Sequence, residues 1–113
     1  MSPLAITAHT ATSALGSGLT AQLAALEGAR SGLRPNDISR VPLACWIGRV
    51  AGVEEVQLPE SLRAWDCRNN RLAWLGLNQD GFLQQVEAAR TRYGAARVAL
   101  LLGTSTASIG ATE

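Results

Sequence analysis

The sequence predicts an α/β protein in which helices pack on a sheet. Residues 4–8 form a short apolar run with β-branched members, and residues 98–102 form a continuously apolar run. Between the two runs, apolar residues recur at helical spacing in three segments. A strand, a helix, an extended arm, paired helices and a second strand, in that order, are typical of a layered α/β arrangement.

The first strand and helix are predicted from residues 4 to 28. The run 4–8 is followed by small hydroxyl residues, which favours a buried strand and then a turn. Leu19, Leu23 and Leu26 are spaced for one face of a helix over 19–26. Ser17 or Thr20 is expected to cap the start of this helix, and Gly28 is expected to end it.

The middle of the chain is predicted to be irregular. Residues 29–39 contain glycine, proline, Asn36 and Asp37 and are expected to form a loop. Residues 41–50 are a candidate extended segment, and Pro42 and Gly48 restrict it to an edge strand or an irregular hairpin arm.

Two further helices and a final strand complete the prediction. Asp66 is a candidate N-cap for a helix over 67–77, with Leu72 and Leu75 facing inward. Asp80 is a candidate cap for the next helix, which Gly94 ends. Its apolar face comprises Phe82, Val86, Ala89 and Tyr93. The run 98–102 is expected to be a strand covered on both faces.

The composition excludes several classes of protein. Ten basic and nine acidic side chains give a formal net charge of +1, which offers no electrostatic reason to expect nucleic acid or an anionic membrane as a partner. Cys45 and Cys67 form neither a metal-ligand spacing nor a redox motif. The sequence has no signal-peptide pattern and no apolar stretch approaching a membrane span, so a cytoplasmic protein is expected.

The predicted strand 98–102 also suggests an incomplete domain. A strand buried on both faces needs covering layers on two sides, and the predicted helices supply less than that. Residues 1–113 are therefore expected to be a fragment that requires the remainder of its domain or another copy.

Four stretches in order resemble the N-terminal region of the β-ketoacyl-acyl-carrier-protein synthases, which have a thiolase-like fold. Each stretch alone is weakly specific, but their order and spacing extend over nearly the whole chain. They are residues 6–16 (ITAHTATSALG), 26–33 (LEGARSGL), 48–50 (GRV) with 68–73 (RNNRLA), and 101–110 (LLGTSTASIG).

The resemblance implies the N-terminal portion of a thiolase-like layered α/β fold, incomplete in this chain. It also implies a decarboxylative Claisen condensation of an acyl thioester with malonyl-acyl-carrier-protein, in fatty-acid or polyketide-like biosynthesis. The family uses a cysteine thiolate and two histidines, which lie beyond the region matched here, so residues 1–113 alone are expected to be inactive. The implied partners are an acyl carrier protein with acyl or malonyl phosphopantetheine and a second copy in a homodimer, without metal or cofactor.

The cysteines and the histidine within the chain are weak catalytic candidates. Cys67 is predicted at a helix N-terminus beside Arg68, and both features would lower the pKa of a thiol. His9 is the sole histidine, however, and nothing places it beside Cys67. A structural role is favoured for Cys67 and His9, and Cys45, beside Trp46, is expected to be a small buried apolar residue.

Four arginines allow two interpretations. Arg68 and Arg71 could contact an acidic carrier protein or its phosphate, or they could pair with Asp66 and solvent, and the second interpretation is favoured. Arg30 and Arg34 present the same choice.

The small-residue loop 103–110 is the main candidate binding segment. The resemblance implies that it lines the acyl-chain pocket near the dimer interface, with Thr106 where the family controls pocket depth and Ile109 adding apolar surface. Close packing alone would also require small residues here.

Two other functions remain open at this point. One is a non-catalytic ketosynthase-like subunit that pairs with an active partner. The other is a free-standing α/β module that binds a phosphorylated ligand through a nest of backbone N–H groups at 103–110.

Overall fold

The computed structural model describes residues 4–37 and 43–104, which form a mixed α/β structure. Strands β1 (Thr12–Ser13) and β2 (Gly16–Ser17) form an antiparallel hairpin that leads into helix α1 (Leu19–Glu27). A second antiparallel hairpin pairs β3 (Leu33–Pro35) with β4 (Trp46–Gly48). A 3₁₀ helix (Glu60–Trp65), helices α2 (Arg68–Leu77) and α3 (Phe82–Tyr93) and a short 3₁₀ helix (Ala95–Arg97) follow.

The three predicted helices are present, and their ends lie within a residue of the predicted ends wherever both were given. Gly94 ends α3 with a positive φ of 83°, a conformation that glycine adopts without steric cost. Gly28 follows α1, as predicted, although the left-handed conformation belongs to Ala29.

The predicted N-caps are wrong. Neither Ser17 nor Thr20 caps α1, because the first residue of that helix donates its N–H to Asp80, far along the chain. Cys67 precedes α2 without a side-chain cap, since the carboxylate of Asp66 pairs with an arginine instead. Gly81, not Asp80, precedes α3.

The apolar face predicted for α1 is also wrong. Leu23 and Leu26 are exposed, whereas Ala25 is buried. The hairpin approaches the helix so closely that a Cβ at Gly16 would lie 2.6 Å from the Cβ of Ala21. Because Ala21 and Ala25 are one turn apart, the helix packs through small residues, while Leu23 and Leu26 remain exposed.

Neither predicted flanking strand forms in the described structure. Residues 4–8 and 98–102 have no strand assignment, and Leu4 and Leu101 are 99% and 88% exposed. A strand exists only as part of a hydrogen-bonded ladder, and in the described structure neither run pairs with another strand. The extended segment predicted within 41–50 is present as β4, but its partner β3 lies in the predicted loop 29–39.

The buried core of the described residues is small. Its apolar members lie on α1, in the turn after β4 and at the start of α3. They are Ala25, Val50, Val53 and Phe82. The chain exposes 9011 Å² of surface, against about 5,900 Å² for a compact monomer of this mass.

None of the helices in the described part of the chain is both long and apolar enough to cross a bilayer.

Candidate functional site

A polar groove of about 530 Å³ lies at the start of α2. The turn after β4 forms one wall, and the 3₁₀ helix and the residues that begin α2 form the other. Its lining contains four carboxylates and two guanidinium groups. The lining residues are Glu54, Glu55, Val56, Gln57, Leu58, Glu60, Arg63, Asp66 and Arg71.

The strongest contact in the groove joins Arg71 to Asp66. The Nε and Nη2 atoms of Arg71 donate to the two carboxylate oxygens of Asp66, each at 2.6 Å. A third donor, Nη1, reaches the backbone oxygen of Glu54 at 3.5 Å. Asp66 directly precedes the N-cap residue Cys67, and Arg71 lies one turn into the helix, so this spacing lets the fork of the guanidinium face the carboxylate.

This ion pair shifts the pKa of both partners. The hydrogen bonds from Arg71 lower the pKa of Asp66, and partial desolvation opposes them without cancelling their effect. The same hydrogen bonds raise the pKa of Arg71 above its ordinary value. Both groups are therefore fully charged near neutral pH.

Two further ion pairs lie around the groove. Arg68 Nε donates to Glu54 Oε1 at 3.0 Å, and this hydrogen bond is the main reason that the pKa of Glu54 is lowered. Arg63 Nη1 donates to both carboxylate oxygens of Glu60, one turn earlier. No signal in the sequence indicates the pairing of Glu54 with Arg68. Glu60 and Arg63 are three residues apart, and this spacing on one helical turn is a signal from which their pair could have been predicted.

The arginines of the groove are not arranged to bind phosphate. Arg71 directs three donors at protein oxygens, and Arg68 is held by Glu54. Carboxylates outnumber guanidinium groups in the lining, so an anion entering the groove would be repelled. Of the two interpretations of Arg68 and Arg71, the structure agrees with pairing inside the chain.

Arg34 likewise forms an ion pair. Its Nη2 lies 3.6 Å from Asp37 Oδ2, and Arg49 Nη1 donates to the same carboxylate at 2.9 Å. These contacts link β3 to the residue that follows β4. Arg30 lies on the exposed surface after α1.

The structure separates the remaining candidates into different environments. Cys67 is half-buried and lies at the N-terminus of α2, as predicted, although it occupies the N-cap position that was predicted for Asp66. His9 lies in an exposed segment that belongs to no strand or helix. The prediction that Cys45 is buried is wrong, since Cys45 and its neighbour Trp46 are both exposed.

The predicted pocket residues Thr106 and Ile109 lie outside the described residues. Of the loop 103–110, the structure describes Gly103 and Thr104, and both are exposed.

Within residues 4–37 and 43–104, no group of three or more His, Cys, Asp or Glu side chains could hold a metal ion.

Comparisons with protein families, curated proteins and solved structures find no match to the chain.

Proposed function

We propose that residues 1–113 form the N-terminal part of a β-ketoacyl-acyl-carrier-protein synthase of thiolase-like fold. The parent enzyme would be a cytoplasmic homodimer that condenses an acyl thioester with malonyl-acyl-carrier-protein. The single observation that carries the proposal is the order and spacing of the four family-like stretches between residues 6 and 110.

The exposure of the two apolar runs supports this proposal. Leu4 and Ile6 are almost fully exposed, and Leu100, Leu101 and Leu102 are each more than half exposed. Runs of this kind are costly to leave in water, because each buried leucine or isoleucine stabilises a fold by about 1.5–3 kcal/mol. Strands of a larger sheet would bury both runs and satisfy their backbone groups.

The extended shape of the chain supports the same conclusion. Its radius of gyration is 16.6 Å, against about 13 Å for a compact domain of this length. In the described structure, α1 makes its main contacts with β1 and β2, and α3 makes its main contact with the short 3₁₀ helix that follows it. No two α-helices share an extensive contact there. Further layers of a parent domain would cover these surfaces.

The chemistry belongs to residues outside the described site. A condensing enzyme needs a cysteine with a lowered pKa, histidines beside it and an oxyanion hole. Cys67 occupies a helix N-terminus, but the described groove beside it contains arginine–carboxylate pairs and no histidine. In the proposed enzyme neither Cys45 nor Cys67 is the nucleophile.

The test is acyl transfer from an acyl carrier protein to the natural gene product. The intact mass and sequence of that product are determined first, and the protein is then incubated with acyl-acyl-carrier-protein and digested. We expect the acyl group on a cysteine that follows residue 113. The matched control is the double variant Cys45→Ser/Cys67→Ser, which should be acylated as fully as the wild type.

The outcomes separate the alternatives. Acylation at Cys45 or Cys67, or a natural product of 113 residues that folds as a monomer, contradicts the proposal. A longer product with another residue in place of the nucleophile contradicts the catalytic role and indicates a non-catalytic partner subunit.

A further inference from the structure

The carboxylate of Asp80 accepts hydrogen bonds from two residues of the N-terminal region, Thr10 and Leu19. Asp80 lies in the turn between α2 and α3 and belongs to neither helix. Its Oδ2 accepts a hydrogen bond from the hydroxyl of Thr10 at 2.7 Å. Both carboxylate oxygens accept the backbone N–H of Leu19, at 3.2 and 3.0 Å. A negative charge at this position also favours the N-terminus of α1 through the helix dipole.

Residues 10–28, here called the N-terminal unit, comprise the β1–β2 hairpin and α1 and are joined by their own internal contacts. Gly18 N–H donates to the backbone oxygen of Ala11 at 2.9 Å across the hairpin. Gln22 joins the helix to the hairpin, since its side-chain amide donates to Gly16 and accepts from Ser13. The main contacts of α1 are with β1 and β2.

A second contact to the helical pair, residues 68–93, lacks a hydrogen bond. Thr12 packs against α2 at Gly76, where an added Cβ would lie 3.6 Å from the Thr12 hydroxyl. That hydroxyl is buried and has no hydrogen-bond partner in the described part of the chain. A buried unsatisfied hydroxyl weakens a contact. In the described part of the chain, the hydrogen bonds between the N-terminal unit and the helical pair therefore all involve Asp80.

The backbone on both sides is shaped for this contact. Asp80 and Gly81 have φ values of 56° and 65°, so the turn places two successive residues in the left-handed region. Aspartate is among the few residues with a side chain that tolerate this region. On the other side Gly18 has a φ of 84°, and a Cβ there would lie 3.1 Å from Asp80 Oδ1.

We infer that Asp80 is a conformational latch that joins the N-terminal unit to the helical pair. When the latch opens, α1 loses its cap and the hairpin loses the contact that fixes Thr10. The apolar run 4–8 is separated from Thr10 by a single residue. Loss of the hydrogen bond between Thr10 and Asp80 therefore also removes the contact that holds the C-terminal end of that run. The latch follows from the contacts alone and does not depend on the proposed function.

Hydrogen exchange of single amides in the natural gene product tests the latch. Asp80→Ala should accelerate exchange of the Gly18 and Gly28 amides about five- to tenfold, the change expected from loss of a helix cap. The Gly18 amide donates to Ala11 across the hairpin, and the Gly28 amide donates to Ala24 at the far end of α1, so neither is bonded to Asp80. Acceleration of both would show that the hairpin and the whole helix open together.

Two variants and one reference amide complete the experiment. Thr10→Val removes one hydrogen bond of the latch and should accelerate the same amides about two- to threefold. Asp37→Ala is the matched control, because it removes a carboxylate that pairs with arginines elsewhere, and it should leave these amides unchanged. The Arg71 amide, which donates to Cys67 within α2, should keep its protection.

Three results would overturn the inference. The first is acceleration confined to the Leu19 and Gln22 amides in the first turn of α1, which would make Asp80 a local cap only. The second is an equal effect of Asp37→Ala. The third is a Thr10→Val variant that exchanges like the wild type, and this result decides the question if Asp80→Ala unfolds the protein.

Discussion

Replacing Val53 by alanine should destabilise the folded chain. Val53 is 0% exposed and is the largest fully buried side chain in the described structure. The change deletes two buried methyl groups, each worth about 0.8 kcal/mol, and leaves a small cavity. We therefore expect the free energy of unfolding to fall by about 2 kcal/mol.

Urea unfolding of residues 1–113, followed by circular dichroism of the helices, measures this change. The midpoint should move to a lower urea concentration with an unchanged slope. Leu101→Ala is the matched control. Leu101 is 88% exposed in this chain, so its truncation should change the free energy of unfolding by less than about 0.5 kcal/mol.

Two results would refute this reasoning. If Val53→Ala unfolds at the same urea concentration as the wild type, the turn after β4 is not part of the core. If Leu101→Ala is as destabilising as Val53→Ala, the run 98–102 is already buried in residues 1–113.

Two further predictions concern pH and backbone packing. Because the pKa of Asp66 is lower in the folded chain, its pair with Arg71 stabilises the fold above about pH 4 and this contribution is lost as the pH falls further. Urea midpoints between pH 7 and 3 should therefore fall less steeply for Asp66→Asn than for the wild type, and parallel curves would contradict this. Gly32→Ala should destabilise the chain by about 1–3 kcal/mol, since its Cβ would lie 2.6 Å from the backbone carbon of Ala14. Gly103→Ala meets nothing within 4 Å and serves as the control, so equal thermal midpoints for the two variants would contradict this packing.

The helices were predictable because their signals are local. The glycines that end α1 and α3 directly follow these helices in sequence, and the apolar spacing of α3 lies within that helix. The cap of α1 was not predictable, because Asp80 is 61 residues from Leu19 and only the folded turn brings them together. A local cap candidate such as Ser17 carries no information about that distant competitor.

The strands were predicted less well because a strand needs a partner. The run 98–102 has the composition of a buried strand, but burial depends on neighbouring layers. The pairing of β3 with β4 was missed because Gly32 and Pro35 indicate a loop, although an edge strand accepts proline. The exposure of Cys45 was missed for a related reason, since apolar neighbours in sequence do not decide whether a distant segment covers a residue.

The sequence predicted one ion pair of the site but not the excess of carboxylates over guanidinium groups in the groove. The pair of Asp66 with Arg71 was considered from sequence as one of two options, and the structure shows it. The turn after β4 brings Glu54 to Arg68 from 14 positions earlier, which no local pattern indicates. The groove is acidic because its lining contains four carboxylates and two guanidinium groups, and the same turn supplies two of those carboxylates, Glu54 and Glu55.

Hydrogen exchange of the backbone amides of residues 98–102 in the natural gene product tests the central claim most directly. If these residues form an interior strand of a condensing enzyme, their amides should exchange only through global unfolding and be among the slowest in the protein. Exchange of these five amides at the rate of an unstructured peptide would contradict the claim.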